Sequence, residues 1–185
     1  MYGYEKKDSN DRRETKEGSV GLCGKGIYRI SGRDGGQGGA CSCGGNTREK
    51  ILYTELELVA LDESGAIVGY VMFSGFSIEG RYEGELLLLS PAAVRTDLQR
   101  QHISKDMIEY GFQQAEKMGY TAVLVEGNPK NYHARGFRTV ADFGIVPGHS
   151  VHLPYIECLM VKELRAGALA RIKGTVEYDF YEMLG

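Results

Sequence analysis

Polar and apolar residues alternate cleanly from Leu52 onward. In "LYTELELVALDES", Leu56, Leu58 and Ala60 alternate with Glu55, Glu57 and Val59, the two-residue period of a strand with one buried face. "DESGA" supplies a turn with glycine at its tip, and "AIVGYVMFSGFSI" supplies the returning strand of a hairpin. After a second turn, "EGRYEG", the stretch "ELLLLSPAAV" is apolar on both faces and reads as a central strand. The period then changes. Ile103, Met107, Ile108, Gly111, Phe112 and Ala115 recur at spacings of three and four, which predicts a helix over Ile103–Lys117 closed by Gly119. "YTAVLVEG" predicts another buried strand, so strand, helix and strand form a parallel crossover. "NPKNYHARGF" predicts a short helix from Pro129 to Gly136. "FRTVADFGIV" and "YIECLMVKEL" predict strands flanking the loop "PGHSVHLP", and "GTVEYDFYEML" a last strand or short helix. The class is α/β (α+β), with a mixed central sheet.

The first 48 residues are different. Glycine is dense, aliphatic residues are sparse, and no period persists. Such a segment buries too little apolar surface to offset its ordering entropy. The expectation is a Gly-rich flexible or atypical segment over 1–48, with one short strand near Gly26–Ser31, ahead of a folded domain over 49–185. "GKGIYR" lacks the spacing and the Lys-Ser/Thr of a phosphate-binding P-loop.

Composition narrows the function. The chain has 185 residues, a net charge of −3, and 42% hydrophobic and 25% charged residues. No basic stripe marks a nucleic-acid binder, and no apolar run approaches the ~20 residues that span a membrane. The charged N-terminus lacks the apolar core of a secretory signal, so a cytoplasmic protein is expected. Cys23, Cys41, Cys43 and Cys158 lack paired CxxC spacing, and no metal is expected.

Ligands of an open α/β sheet collect beyond the carboxyl ends of its parallel strands. Here those ends are "SPAAVRTDLQRQHIS" and "VEGNPKNYHARGF". Pro91 cannot donate to a ladder and predicts a bulge. A bulge there splays the two parallel strands and frees main-chain groups of Ala92–Val94 for an extended ligand. The helix N-terminus that follows is a place for an anion. Yet none of the 26 glycines lies between Gly84 and Gly111.

From Leu52 to Leu184 this order of segments resembles the GNAT acetyltransferase superfamily. "SPAAV" is similar to a G-P-L-A-V segment of one bacterial branch. "NPKNYHARGF" is similar to its D-P-x-Y-Y-x-x-x-G-F, and "ELRAGAL" to its E-L-x-x-G-A-L. The resemblance implies a GNAT-like acyl-CoA N-acyltransferase fold with splayed parallel strands. It implies acetyl-CoA as co-substrate and an amine of a small molecule or protein as acceptor, attacking the thioester directly. Ala92, Ala93 and Val94 would pair with the pantetheine arm. Gln99, Arg100, Gln101, His102, Ile103, Ser104 and Lys105 would hold the pyrophosphate, with Asn128 a further cofactor contact. Tyr132 occupies the position of the family's general acid. Glu126, at a strand end, is a candidate base. His133 could serve beside Tyr132, and His149 and His152 lie in the loop that in this family lines the acceptor pocket.

Two departures matter. The family's Q/R-x-x-G-x-G/A aligns with Gln99-Arg100-Gln101-His102-Ile103-Ser104, so His102 replaces a glycine. Either it blocks the backbone approach, or it stays helical, points aside and leaves its N–H available, with Arg100 and Lys105 adding charge and Asp97 an early cap. Residues 1–48 also show no helical pattern for the strand and two helices that open the family fold, as if truncated, replaced or out of frame. An N-acetyltransferase and a catalytically impaired acyl-CoA-binding sensor or interaction module both fit, and a homodimer stays open.

Overall fold

A computed structural model describes residues 26–32 and 54–178. The strands are β1 (Gly26–Gly32), β2 (Thr54–Leu61), β3 (Ile67–Ile78), β4 (Arg81–Val94), β5 (Ala122–Glu126), β6 (Arg138–Thr139), β7 (Ile145–Pro147), β8 (Leu159–Glu163) and β9 (Gly174–Val176). Helix α1 spans Ile103–Met118 and α2 spans Pro129–His133. Among the described residues, one sheet runs in the order β1-β2-β3-β4-β5-β8-β6, and β7 pairs with β9 in a second. All neighbours in the large sheet are antiparallel except β4 and β5. The sheet is therefore mixed, as expected. The expected strand near Gly26–Ser31 is β1, paired with β2. The remainder of segment 1–48, with Cys23, Cys41 and Cys43, lies outside the described residues.

Both faces of the sheet are covered, and the strand period divides the core. Leu87 and Leu89 of β4, with Val123 and Val125 of β5, pack under Ile103, Met107, Ile108 and Phe112 of α1. Leu86 and Leu88, with Ala122 and Leu124, face the opposite cluster of Ile145, Leu159, Ile172 and Val176. Val59, expected on the polar side of β2, is 4% exposed. The helical stripe is as its spacing predicts, with Tyr110 added, and Gly119 closes α1 in the left-handed region.

The C-terminal third departs from the expectation. "FRTVADFGIV" is split: two residues of β6, a 3-10 turn over Val140–Phe143, then β7. Gly144, at φ 70°, ends the turn and redirects the chain. Helix α2 stops at His133, and the left-handed residue Gly136, φ 82°, follows three residues later. Asp97 caps nothing. It receives a two-point pair from Arg95, at 2.8 and 3.1 Å, inside a short turn over Thr96–Leu98. The loop after β7 is held from β9's end by Glu177. Its carboxylate accepts from the His149 and Ser150 N–H groups at 3.1 and 3.0 Å and from the Ser150 hydroxyl at 2.5 Å.

Two predictions follow from this packing. Gly111 is buried against Phe73, whose Cε2 would lie 2.3 Å from an added Cβ. Gly111→Ala thus overpacks the α1–sheet contact and lowers stability by about 1–3 kcal/mol, read as a fall in Tm. The bonds from Ser150 and His149 hold Glu177 down, to about 2 from an ordinary 4.5. Its stabilisation is complete above the free value and is lost as pH falls through about 2. Between pH 5 and pH 2 wild type should lose more Tm than Glu177→Gln; parallel curves would contradict the anchor.

Candidate active site

The site begins at a defect in β4. Val71 pairs with Ala92, and Phe73 pairs with Leu89. Two steps on β3 thus answer three on β4, with Ser90 and Pro91 in the extra space. This is the bulge that Pro91 predicts. On the other side, the parallel ladder to β5 covers only Leu86–Leu88 against Ala122–Leu124. Beyond Leu88, β4 keeps β3 as partner and parts from β5. Ala92 and Ala93 are exposed there, and Val94 is half-buried.

A groove of about 750 Å³ opens at the parting, within the ~300–1,000 Å³ of small-ligand sites. Ala92, Val94, Gln99, Arg100, His102, Ile103, Ser104, Lys105 and Tyr132 of the expected site residues line it. Ala93, Gln101, Asn128 and Glu126 do not. Asn128 instead caps α2, its side chain accepting from the Lys130 N–H at 3.0 Å. Glu126 is exposed at the end of β5, and partial burial raises its carboxyl above the ordinary value.

One floor of the groove is the N-terminus of α1. His102 is the residue before the first helical position, and its carbonyl accepts from Asp106 at 3.0 Å. The N–H groups of Ile103, Ser104 and Lys105 have no acceptor within the helix. His102 is not helical. It adopts φ 62°, ψ 2°, the left-handed conformation that suits glycine, and Arg100 shares it at φ 63°. Histidine is among the non-glycine residues that enter this region more readily. The chain path therefore asks for the glycine conformation, and His102 supplies it with a Cβ attached.

The opposite wall is Tyr132. Its ring lies over Gly127, where an added Cβ would come within 2.5 Å of Cε2. It packs edge-on to Phe137, centroids 5.5 Å apart, and Phe137 in turn meets Phe112 of α1 at 5.7 Å. The ring is thus fixed by packing while it lines the groove. Among the described residues its hydroxyl has no hydrogen-bond partner. Burial raises the phenol above 10, partly opposed by the Arg135 charge, so it is protonated at neutral pH.

Leu98, Ile108, Asn131, Ala134 and Arg135 also line the groove and were not among the expected residues. A signal for Arg135 existed: it follows Tyr132 by three positions, the spacing of side-chain neighbours on a helical turn. His133 is exposed on α2 and does not line the groove. His149 Nδ1 lies 2.9 Å from Glu177, and His152 Nδ1 lies 3.2 Å from the Ser150 carbonyl. No group of three or more His, Cys, Asp or Glu among the described residues is arranged to hold a metal ion.

No protein-family model matches the chain. Similarity to individual proteins is clear. The chain is 29% identical over 127 residues to the uncharacterized N-acetyltransferase YhbS of Escherichia coli K12, across 68% of this chain and 73% of that one. A crystal structure of the same GNAT-family protein from Escherichia coli, in complex with CoA, superposes with a TM-score of 0.63. That match has 28% identity and covers 72% of each chain. In sequence and in fold the chain is thus similar to GNAT-family acetyltransferases. A GNAT acetyltransferase of Brucella melitensis in complex with acetyl-CoA, 22% identical with a TM-score of 0.51, shares the fold over 66% of this chain and 65% of that one. The α/β GNAT-like fold read from the motifs is thus the observed one.

The strain at His102 is testable. Left-handed backbone costs a residue with a Cβ ~1–2 kcal/mol, and glycine's extra freedom in the unfolded chain returns ~0.5–1 kcal/mol of that. His102→Gly should leave Tm unchanged or raise it. It should also keep CoA affinity, whereas a large loss would make the imidazole itself a ligand. Titration calorimetry beside thermal denaturation reads both.

Proposed function

We propose that the protein is an acetyl-CoA-dependent N-acetyltransferase that moves an acetyl group to an amine of a small molecule or protein. The observation that carries this reading is the coincidence in one groove of three features. They are an unladdered strand edge at Ala92–Val94, the free N-terminus of α1, and the fixed, protonated Tyr132. The CoA complex of the related YhbS supports it.

The residues fit the co-substrate. The edge beyond the Pro91 bulge offers main-chain partners to the amide groups of a pantetheine arm, as an added strand would. The N–H groups of Ile103, Ser104 and Lys105, with the nearby cations, suit the diphosphate. Acetyl-CoA supplies the activated acyl thioester. The acceptor must reach it as a neutral amine, and Glu126 at the end of β5 is the proposed base, directly or through water. Backbone N–H groups of the splayed strand are the proposed donors to the developing oxyanion. Tyr132 is the proposed acid for the leaving thiolate. In this reading Gln99, Arg100, Gln101 and His102 shape the diphosphate turn, and the caps made by Asn128 hold α2, and so Tyr132, in place. The proposed unit is the domain over 49–185 with β1 as an added edge strand.

The alternative, an acyl-CoA-binding sensor, shares every binding feature and differs only at Tyr132 and Glu126. Tyr132→Phe keeps the ring and removes the proton. It should leave the Kd for CoA unchanged and lower kcat by ~10²-fold or more, the usual worth of a positioned acid. Burial sets the pH profile. Tyr132 is raised above 10, so the limb it controls should fall only above pH 10. Glu126 is raised above 4.5, so the acid limb should lie above that value. Thioester cleavage measured across an amine panel, beside calorimetric binding, checks both. Binding without turnover on any amine would favour the sensor.

A further inference from the structure

The groove is electrically one-sided. Arg100, His102 and Lys105 line it from the β4–α1 connection, Arg135 lines it from beyond α2, and no carboxylate is among its lining residues. Lys105 lies 3.8 Å from Glu109, an exposed pair of little strength. Arg135 alone of these four comes from the β5 side of the parting.

Its backbone is held firmly. Lys162 Nζ donates to the Arg135 carbonyl at 3.0 Å, and the next residue, Gly136, has Lys162 Nζ where a Cβ would stand, 2.6 Å away. From that anchor the side chain reaches the first turn of α1. Nη1 donates to the Asn131 carbonyl. Nη2 donates to Ser104 Oγ at 3.3 Å, long for a bond of this type. The guanidinium carbon lies 5.7 Å from the centre of the Tyr132 ring. Nε is buried and has no acceptor. A guanidinium carries five donors in a fixed fork, and Nε with one Nη forms an edge that matches two oxygens of a phosphate. Here one half of that edge makes a long, weak bond and the other half makes none. Buried donors in that condition are costly, and an acceptor entering the groove relieves them.

We propose that Arg135 contacts the diphosphate of acyl-CoA from the β5 side and closes, with the first turn of α1, a two-walled phosphate seat. The proposal rests on the acyl-CoA reading of the groove. An oxyanion on the free N–H groups around Ser104 is beside Nη2. It replaces the long Ser104 bond with a charge-assisted one, and a small turn of the guanidinium brings Nε to a second oxygen. The cation then supplies by side chain what a bare glycine turn supplies by close backbone approach, at a position where His102 carries a Cβ.

The test titrates wild type, Arg135→Gln and Arg135→Lys, each as the full chain, with CoA, dephospho-CoA and pantetheine. Dephospho-CoA keeps the diphosphate and lacks the 3′-phosphate; pantetheine lacks both. Arg135→Gln should weaken CoA and dephospho-CoA alike by about 10–100-fold, the range of a hydrogen bond to a charged group. It should leave pantetheine affinity unchanged, and Arg135→Lys should recover part of the loss. The wild-type advantage should shrink at high salt. Unchanged CoA affinity in Arg135→Gln overturns the proposal. An equal loss for CoA and pantetheine also overturns it, because it marks a purely structural role. A loss confined to CoA overturns the assignment to the diphosphate. If Arg135→Gln does not fold, Arg135→Lys is read by the same comparison of the three ligands. Wild type that binds none of the three would defeat the acyl-CoA reading itself, a different outcome from any of these.

Discussion

The parting of β4 from β5 after Leu88 is the constraint on which the site depends. A parallel pair buried on both faces would normally ladder along its whole length. Here the ladder stops after Leu86–Leu88, because the Ser90–Pro91 bulge turns β4 toward β3. Proline has no N–H to give, and the extra residue changes the local twist. Everything functional follows from that separation. It exposes the edge at Ala92–Val94, leaves room for about 750 Å³ of groove, and sets the N-terminus of α1 across from Tyr132. The leucines before the bulge are buried on both faces and keep the two strands together up to the point where they part.

The two walls are stiffened by different means. On the β4 side, α1 is packed by Met107, Ile108 and Phe112, with Gly111 admitting Phe73 at close range. On the β5 side, a short helix capped by Asn128 carries Tyr132, and Gly127 and Phe137 clamp its ring. Phe112 and Phe137 join the walls through apolar contact, and Arg135 and Ser104 join them through a polar one. A ligand seated between them meets fixed groups, which lowers the ordering cost of binding.

Much of this was legible in the sequence, and the legible part has a common cause. Alternation in "LYTELELVALDES", the three-and-four spacing after Ile103 and the proline in "LLSPAAV" are local signals, and local physics decides them. What escaped was set by distant partners or by backbone alone. Val59 is buried although its position in the alternation is polar. The parallel pairing of β7 with β9 joins segments nearly thirty residues apart. The left-handed state of Arg100 and His102 has no mark in a glycine-free stretch. His102 is not the helical residue turned aside that one expectation allowed; the chain keeps the glycine conformation with a different residue. Arg135 stands at a readable spacing from Tyr132, but it lies in the turn after α2 rather than in the helix, and that turn is not marked in the composition.

Amide hydrogen exchange of the full chain with and without CoA shows whether the parted strands and the start of α1 hold the ligand together. Amides that pair with or sit beneath the ligand exchange more slowly when it is bound. New protection is expected at Ala92–Val94 and at Ile103–Lys105 together, on both sides of the bulge-made groove. Protection elsewhere in the chain with both segments unchanged would contradict it.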